Sequence, residues 1–237
     1  MGAEVTYLQP GDHVITCLSV FCGTCENCTA GRPVICTNTD VKLLPGQSDR
    51  LTWDKPQQLH TGMNLSAFAE QMWVQENAVV KIRKDMPLDR AACIGCGVMT
   101  GFGAVTNTAR VAAGETVAVV GCGGVGMAAI NGAFVAGAAR IIAIDTNPVK
   151  LQLAAKIGAT DLVNPNDGDP VELVRDLTGG GVHHSFECLG LKKTSEQCFE
   201  MLAFGGAATI VGMVPFGEKI ELHGFDFLRE RKVQGSS

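Results

Sequence analysis

The sequence predicts an α/β chain: a doubly wound parallel sheet preceded by a smaller, β-rich segment. Three observations predict it. From Glu115 onward, apolar strand-like runs alternate with helical runs. A glycine cluster marks the first strand-to-helix junction of that alternation. Ahead of it, short strand-like runs and turn residues surround a loop holding four cysteines. The change of texture falls near residue 97, giving segments 1–97 and 98–237. With 46% hydrophobic and 18% charged residues over 237 positions, the chain can bury a core.

In the first segment, PGDHVITCLSV reads as a turn and a strand, followed by the cysteine loop. Polar, turn-rich sequence fills 37–62. SAFAEQMWV and AVVKI read as further short strands, and PLDRAACIGCG as the start of a helix. In the second segment, TVAVVG leads into a helix from about Gly124. RIIAID is followed by PVKLQLAAKIGA, DLVN by PVELVRDLTG, and HHSFECLG by TSEQCFEMLAFG. AATIVGMVP is a fifth strand and KVQGSS a sixth. Strands alternating with helices imply right-handed crossovers and a parallel sheet covered on both faces.

Composition excludes several classes. The formal net charge is −5, and the densest basic stretch, Arg229-Glu230-Arg231-Lys232, is interrupted by an acid. That is not a nucleic-acid footprint. The uncharged stretch 116–139 has the length of a membrane span, but VAVV followed by a glycine cluster reads as a buried strand and a buried helix. The N-terminus carries Glu4 and Asp12 and no apolar core, so it is not read as a signal peptide. Met1-Gly2 with Thr6 formally fits a myristoylation pattern, for which a simple glycine turn is the better account. Ten cysteines in a chain of this size are expected to be reduced, which points to the cytoplasm.

The glycine cluster, Gly121-Cys122-Gly123-Gly124-Val125-Gly126, satisfies G-x-G-x-x-G between a strand and a helix. Gly121 permits the tight turn, Gly123 lets the backbone approach a pyrophosphate, and Gly126 lets the helix pack on the strand. The helix N-terminus then offers free N–H groups to phosphate. Asp145 follows 19 residues after Gly126, where a carboxylate accepts from ribose hydroxyls and repels a 2′-phosphate. The expected cofactor is therefore NAD rather than NADP.

Cys22, Cys25, Cys28 and Cys36 are spaced C-x2-C-x2-C-x7-C. Four thiolates in one loop suit a tetrahedral Zn²⁺ closed to substrate. A ferredoxin-type cluster has tighter final spacing and a proline after its last cysteine, whereas Thr37 follows Cys36. Disulfides fit the inferred compartment poorly.

The cysteine spacing, PGDHV, IGCGVMTG, GCGGVG, IIAIDTNPVK, FECLG and IVGMVP occur in one order. Together they resemble the zinc-dependent alcohol dehydrogenase branch of the medium-chain dehydrogenase/reductase family, over essentially the whole chain. The resemblance implies a GroES-like catalytic domain, here partial, followed by a Rossmann domain binding NAD. It implies a structural zinc on Cys22, Cys25, Cys28 and Cys36. It also implies a second, catalytic zinc whose third ligand maps onto Cys96, whereas Cys93 does not match the motif and reads as an ordinary buried cysteine. Thr100 matches a position beside the nicotinamide. Val125, Lys150, Val211, Gly212 and Met213 fall on cofactor-contact positions. Glu187, Cys188 and Gly190 close the fourth strand at the sheet edge where cofactors bind.

The family's first two catalytic ligands and its proton relay precede PGDHV, and its sequence continues past the sixth strand. The chain is therefore expected to be a fragment cut at both ends. None of His13, His60, His183, His184 and His223 replaces the missing ligands convincingly; His60 is the one candidate for a stray ligand. The resemblance implies hydride transfer between a small alcohol or aldehyde and NAD in the intact parent, as a homodimer or homotetramer joined around the last strand. The truncated chain itself is expected to be inactive. The alternatives are a non-catalytic NAD- and zinc-binding module, a dehydrogenase of hydroxymethyl-thiol adducts, or a zinc-free reductase, against which the cysteines argue.

Overall fold

Alternation inside each strand explains how the second half folds. The structure, a computed structural model, describes residues 1–42, 65 and 68–237. The described chain separates into two units, Met1–Cys96 and Gly97–Ser237.

The second unit carries a six-stranded parallel sheet. Its strands are β3 (Thr116–Val120), β4 (Arg140–Ile144), β5 (Asp161–Val163), β6 (Val182–Glu187), β7 (Leu202–Ile210) and β8 (Lys232–Gly235), and β1 and β2 belong to the first unit. The spatial order is β5-β4-β3-β6-β7-β8. Val117 pairs with Ile141 on one side and His184 on the other. Successive side chains point to opposite faces. Val117, Val119, Ile141, Ala143 and Phe186 therefore enter one core, and Ala118, Val120, Ile142 and Ile144 enter another. Both faces are buried, so these strands read as continuous apolar runs rather than alternating ones.

Helices cover each face. α4 (Gly124–Val135) and α5 (Pro148–Lys156) supply Ala129, Ile130, Ala133, Leu151 and Ala154 to the first core. α6 (Pro170–Thr178) and α7 (Lys192–Glu200) supply Val171, Val174, Cys198 and Phe199 to the second. Burying each large side chain contributes about 1.5–3 kcal/mol. Two helix starts are written in the sequence as a capping residue before proline. Asn147 Oδ1 accepts from the Val149 amide at 2.9 Å, and Asp169 Oδ1 from the Val171 amide at 2.7 Å. Pro148 and Pro170 sit where no intrahelical N–H bond is needed.

The boundaries of three strands differ from expectation. The run 202–205, read as the end of a helix, instead opens β7, which stops at Ile210 rather than running to 215. Leu202 is fully buried and pairs with Val182, so tertiary packing overrides the helical reading there. Val211, Gly212 and Met213 consequently lie beyond the strand. β6 ends at Glu187, leaving Cys188 and Gly190 in the following loop. β4 ends at Ile144, one residue before Asp145.

The first unit has a two-stranded antiparallel pair, β1 (Val14–Thr16) with β2 (Val79–Lys81). Short helices α1 (Glu26–Thr29) and α2 (Leu88–Ala91) lie in the same unit. The predicted strand SAFAEQMWV is not one: its described residues, from Phe68 to Val74, form no strand, and Trp73 is largely exposed. The helical stretch after Pro87 is interrupted, with a π-helical turn over Ile94–Val98 followed by α3 (Met99–Gly103). Among the described residues, no helix is long and apolar enough to cross a membrane.

Candidate functional site

The cysteine loop gathers its four sulfurs around one point. The Sγ atoms of Cys22, Cys25, Cys28 and Cys36 all lie within 4.8 Å of one another. The separations are 3.5 Å for Cys25–Cys28, 3.7 Å for Cys22–Cys36, 3.8 Å for Cys25–Cys36 and 3.9 Å for Cys22–Cys28. A tetrahedron with Zn–S bonds of about 2.3 Å needs sulfurs roughly 3.8 Å apart. All ten cysteines are free thiols, so disulfides do not hold the loop. Turn amides aim at the sulfurs: the Thr24 and Cys25 amides donate to Cys22 Sγ at 3.4 and 3.3 Å, and the Cys22 amide donates to Cys36 Sγ at 3.4 Å. Hydrogen bonds from the Thr24 hydroxyl, then from the Thr24 and Cys25 amides, bring the Cys22 thiol down to about 5. Desolvation, then the Cys25 thiol, pushes Cys28 up to about 11. A divalent cation at the centre removes that last obstacle, because coordinated thiols are deprotonated. The donor set, spacing and N–H···S bonds fit a structural Zn²⁺.

Among the described residues, no other group of three or more His, Cys, Asp or Glu lies close enough to hold a metal. Cys96 sits in the π-helical turn and is exposed. Cys93, expected to be buried, is exposed as well, in the turn between α2 and the π-helical turn. His183 and His184 are inside β6 rather than before it. His183 Nδ1 meets the Thr116 hydroxyl at 2.8 Å, and His184 Nε2 meets Glu115 at 2.9 Å. His13 leads into β1, and His223 precedes a short 3₁₀ turn. His60 lies outside the described residues. A catalytic zinc needs three protein ligands. The described residues offer only Cys96, so they do not fit one.

The glycine loop lies at the switch point of the sheet, where β3 has β4 on one side and β6 on the other. Gly121 has φ +93°, a left-handed conformation, and its amide donates to Ile144 O at 2.8 Å. A Cβ on Gly126 would lie 1.8 Å from Gly121 O, so α4 can press on the turn only through a glycine. A Cβ on Gly123 or Gly124 would meet nothing within 4 Å. These two glycines therefore leave an open cradle at the N-terminus of α4, where amides and the helix dipole favour phosphate. Val125 is in the first turn of α4.

Asp145, 9% exposed, frames the cradle on the β4 side. Its Oδ2 accepts from the Cys122 amide at 2.9 Å, and its Oδ1 from the Asn147 amide at 2.8 Å. Lys150 Nζ stands 3.5 Å from Oδ2. The carboxylate is thus fixed by backbone, with lone pairs left for a ribose diol. Burial, then the Asp145 charge, pushes the Cys122 thiol up to about 12, so Cys122 is packing rather than a nucleophile. Burial likewise pushes Cys188 up, followed by the Glu187 charge.

The β6 and β7 ends frame the other side. Val211, Gly212 and Met213 follow β7, with Met213 largely exposed. Glu187 and Thr194 carry a role the sequence reading missed: Glu187 is fully buried and its carboxylate accepts from three loop amides and from the Thr194 hydroxyl. The available signal was an acid inside the otherwise apolar run Phe186–Leu189. Thr100 is in α3 and half-buried.

Thus a doubly wound parallel sheet carries a dinucleotide-type cradle at its switch point, and the first unit carries four cysteine sulfurs spaced to hold a metal. Residues 124–237 match the family described as zinc-binding dehydrogenase, and residues 1–84 match the alcohol dehydrogenase GroES-like domain. The chain belongs to the zinc-containing alcohol dehydrogenases of the medium-chain family. It is 39% identical over 244 aligned positions to S-(hydroxymethyl)glutathione dehydrogenase of Synechocystis sp., covering all of this chain and 66% of that protein. The chain therefore spans about two thirds of the length of that relative. A solved alcohol dehydrogenase zinc-binding domain protein from Burkholderia ambifaria superposes with TM-score 0.90 at 34% identity, covering 99% of this chain and 65% of that one. A zinc-binding dehydrogenase from Sinorhizobium meliloti 1021, bound to NADP, superposes with TM-score 0.80 at 30% identity, covering 99% and 64%.

Proposed function

We propose that this chain holds NAD in the glycine crevice and a structural zinc in the cysteine lobe, as part of an NAD-linked, zinc-dependent alcohol dehydrogenase. The observation that carries the reading is the crevice itself. Gly121 turns, Gly126 lets α4 close in, Gly123 and Gly124 leave the cradle open, and Asp145 stands fixed beside it. Bound NAD supplies a hydride acceptor. The chain's own residues bind and orient it. Amides at the start of α4, with Val125, receive the pyrophosphate. Asp145 and Lys150 receive the adenosine ribose. Thr100, Val211, Gly212 and Met213 border the nicotinamide. No step is assigned to a zinc at Cys96.

Asp145 supports NAD over NADP, since a 2′-phosphate would meet a carboxylate whose geometry is fixed by the Cys122 and Asn147 amides. Calorimetric titration checks this: NAD is expected to bind more tightly than NADP, and Asp145→Ala to narrow the difference by roughly tenfold. Equal affinities in the unaltered chain would overturn the preference. Metal analysis is expected to give one zinc per chain, with no oxidation of simple alcohols by NAD. Two tightly held zincs or robust turnover would sink the one-metal reading.

The curated relative's activity favours one substrate class for the parent enzyme, a hydroxymethyl-thiol adduct. An NADH-release assay with S-(hydroxymethyl)glutathione against a simple primary alcohol separates the two in any form of the protein that turns over. Association into dimers or tetramers through β8, and a cytoplasmic location, belong to the same reading. Light scattering of the purified chain tests the first.

A further inference from the structure

Glu187 is a charged side chain with no exposure at all, at the last position of β6. Such a group is retained only if its partners are complete. Its Oε1 accepts from the Thr194 hydroxyl at 2.6 Å and from the amides of Gly190, Leu189 and Leu191 at 2.9, 3.1 and 3.4 Å. Its Oε2 accepts from the Gly190 amide at 3.0 Å. Every partner is a donor, the pattern a carboxylate requires. Its backbone carbonyl accepts from the amides of Val211 and Gly212 at 2.9 and 2.8 Å. One residue therefore ties the loop after β6 to the loop after β7.

The two loops are in backbone contact through glycines. A Cβ on Gly212 would stand 2.1 Å from the Gly190 amide nitrogen and 2.4 Å from Glu187 Oε2. A Cβ on Gly190, which has φ +84°, would stand 2.5 Å from Met213 O. Leu189, in the same loop, lies over Gly121, whose Cβ would meet Leu189 Cγ at 2.6 Å. The Glu187 carboxylate thus fixes the loop that roofs the glycine turn, and its carbonyl fixes the loop that carries Met213.

We infer that Glu187 is a positioning residue for the dinucleotide: without touching it, Glu187 sets the wall of the crevice on the β6–β7 side, opposite Asp145. The inference rests on the reading of the crevice as an NAD site. It predicts a division within the ligand. The adenosine half lies toward β4, on the other side of β3, and is not held by these loops.

The test is calorimetric titration of the full chain with NAD and, separately, with AMP. Glu187→Gln keeps the shape but turns an amide N–H₂ toward loop donors. It is expected to weaken NAD roughly tenfold or more while leaving AMP within about twofold. Thr194→Val removes one donor and is expected to weaken NAD about two- to fivefold, again sparing AMP. It carries the test alone if Glu187→Gln does not fold. Parallel loss of both ligands, or a lower melting temperature with unchanged NAD affinity, would show a structural role only and overturn the inference. If the unaltered chain binds AMP and NAD equally weakly, the crevice reading fails first, and the inference with it.

Discussion

The cysteine lobe and the glycine crevice are both loops shaped to receive charge, yet they are held by opposite means. In the lobe, α1 and the following 3₁₀ turn bury no residue. Four sulfurs, N–H···S bonds and a few polar contacts such as Asn27 to the Ile35 carbonyl close it among the described residues. In the crevice, the loops hang from strands whose residues Val117, Val119, Ile141 and Phe186 are at most 1% exposed. Thiolates brought together repel each other unless a cation sits among them. Backbone amides at the ends of buried strands need no ligand to keep their places. The lobe should therefore depend on its ion for structure, while the crevice should be formed before its ligand arrives.

Removing zinc gives the largest expected effect. Metal binding to such a loop is folding free energy. Chelation, or Cys25→Ser, is expected to abolish amide protection across residues 22–36. The parallel sheet is expected to keep its hydrogen-exchange protection and its affinity for NAD. Loss of protection in β3 and β4 on chelation would break the comparison, because it would make the crevice depend on the lobe.

A smaller effect distinguishes shape from space inside the crevice. Gly126→Val places carbon against Gly121 O, where a Cβ has 1.8 Å, and is expected to lower the melting temperature by several degrees. Gly123→Val enters open space, where a Cβ meets nothing within 4 Å. It is expected to leave the melting temperature nearly unchanged and to reduce NAD affinity by tenfold or more. If Gly123→Val kept full affinity, the pyrophosphate would have to lie elsewhere.

What could be read from sequence follows the same division. The apolar runs, the Asn147-Pro148 and Asp169-Pro170 helix starts and the glycine spacing are local, and each has a local physical cause. The cysteine spacing identifies a metal loop because chain length alone brings those sulfurs together. Contacts across the fold were not legible. Leu202 opens β7 because the second core needs it, against a helical pattern. Cys93 is exposed, in the turn after α2. Glu187 was visible as a strand-end acid, but nothing in the pattern showed that the following loop folds back so that its amides and Thr194 donate to that carboxylate.

The smallest effect separates stability from the site altogether. Arg140 opens β4 and Asp161 opens β5, at the end of these strands away from the crevice. Their side chains form a forked pair, Nε–Oδ2 at 2.8 Å and Nη2–Oδ1 at 3.1 Å, and Arg140 also donates to the Leu177 carbonyl. The Arg140 hydrogen bonds lower the Asp161 carboxyl; burial opposes them and the Thr160 hydroxyl assists. A carboxyl lowered in the folded state stabilises fully above the ordinary carboxylate range. It loses that contribution as pH falls through its depressed folded value. Arg140 is 37% exposed and Asp161 17%, so solvent screens the pair and the expected change is small. Asp161→Asn is expected to lower the melting temperature at neutral pH by about 2 °C or less and to flatten the acid limb of stability. NAD affinity at neutral pH should not move. A shift in NAD affinity with this substitution would mean that the start of β4 reaches the crevice at its other end, which the buried length of β4 between Arg140 and Asp145 is expected to prevent.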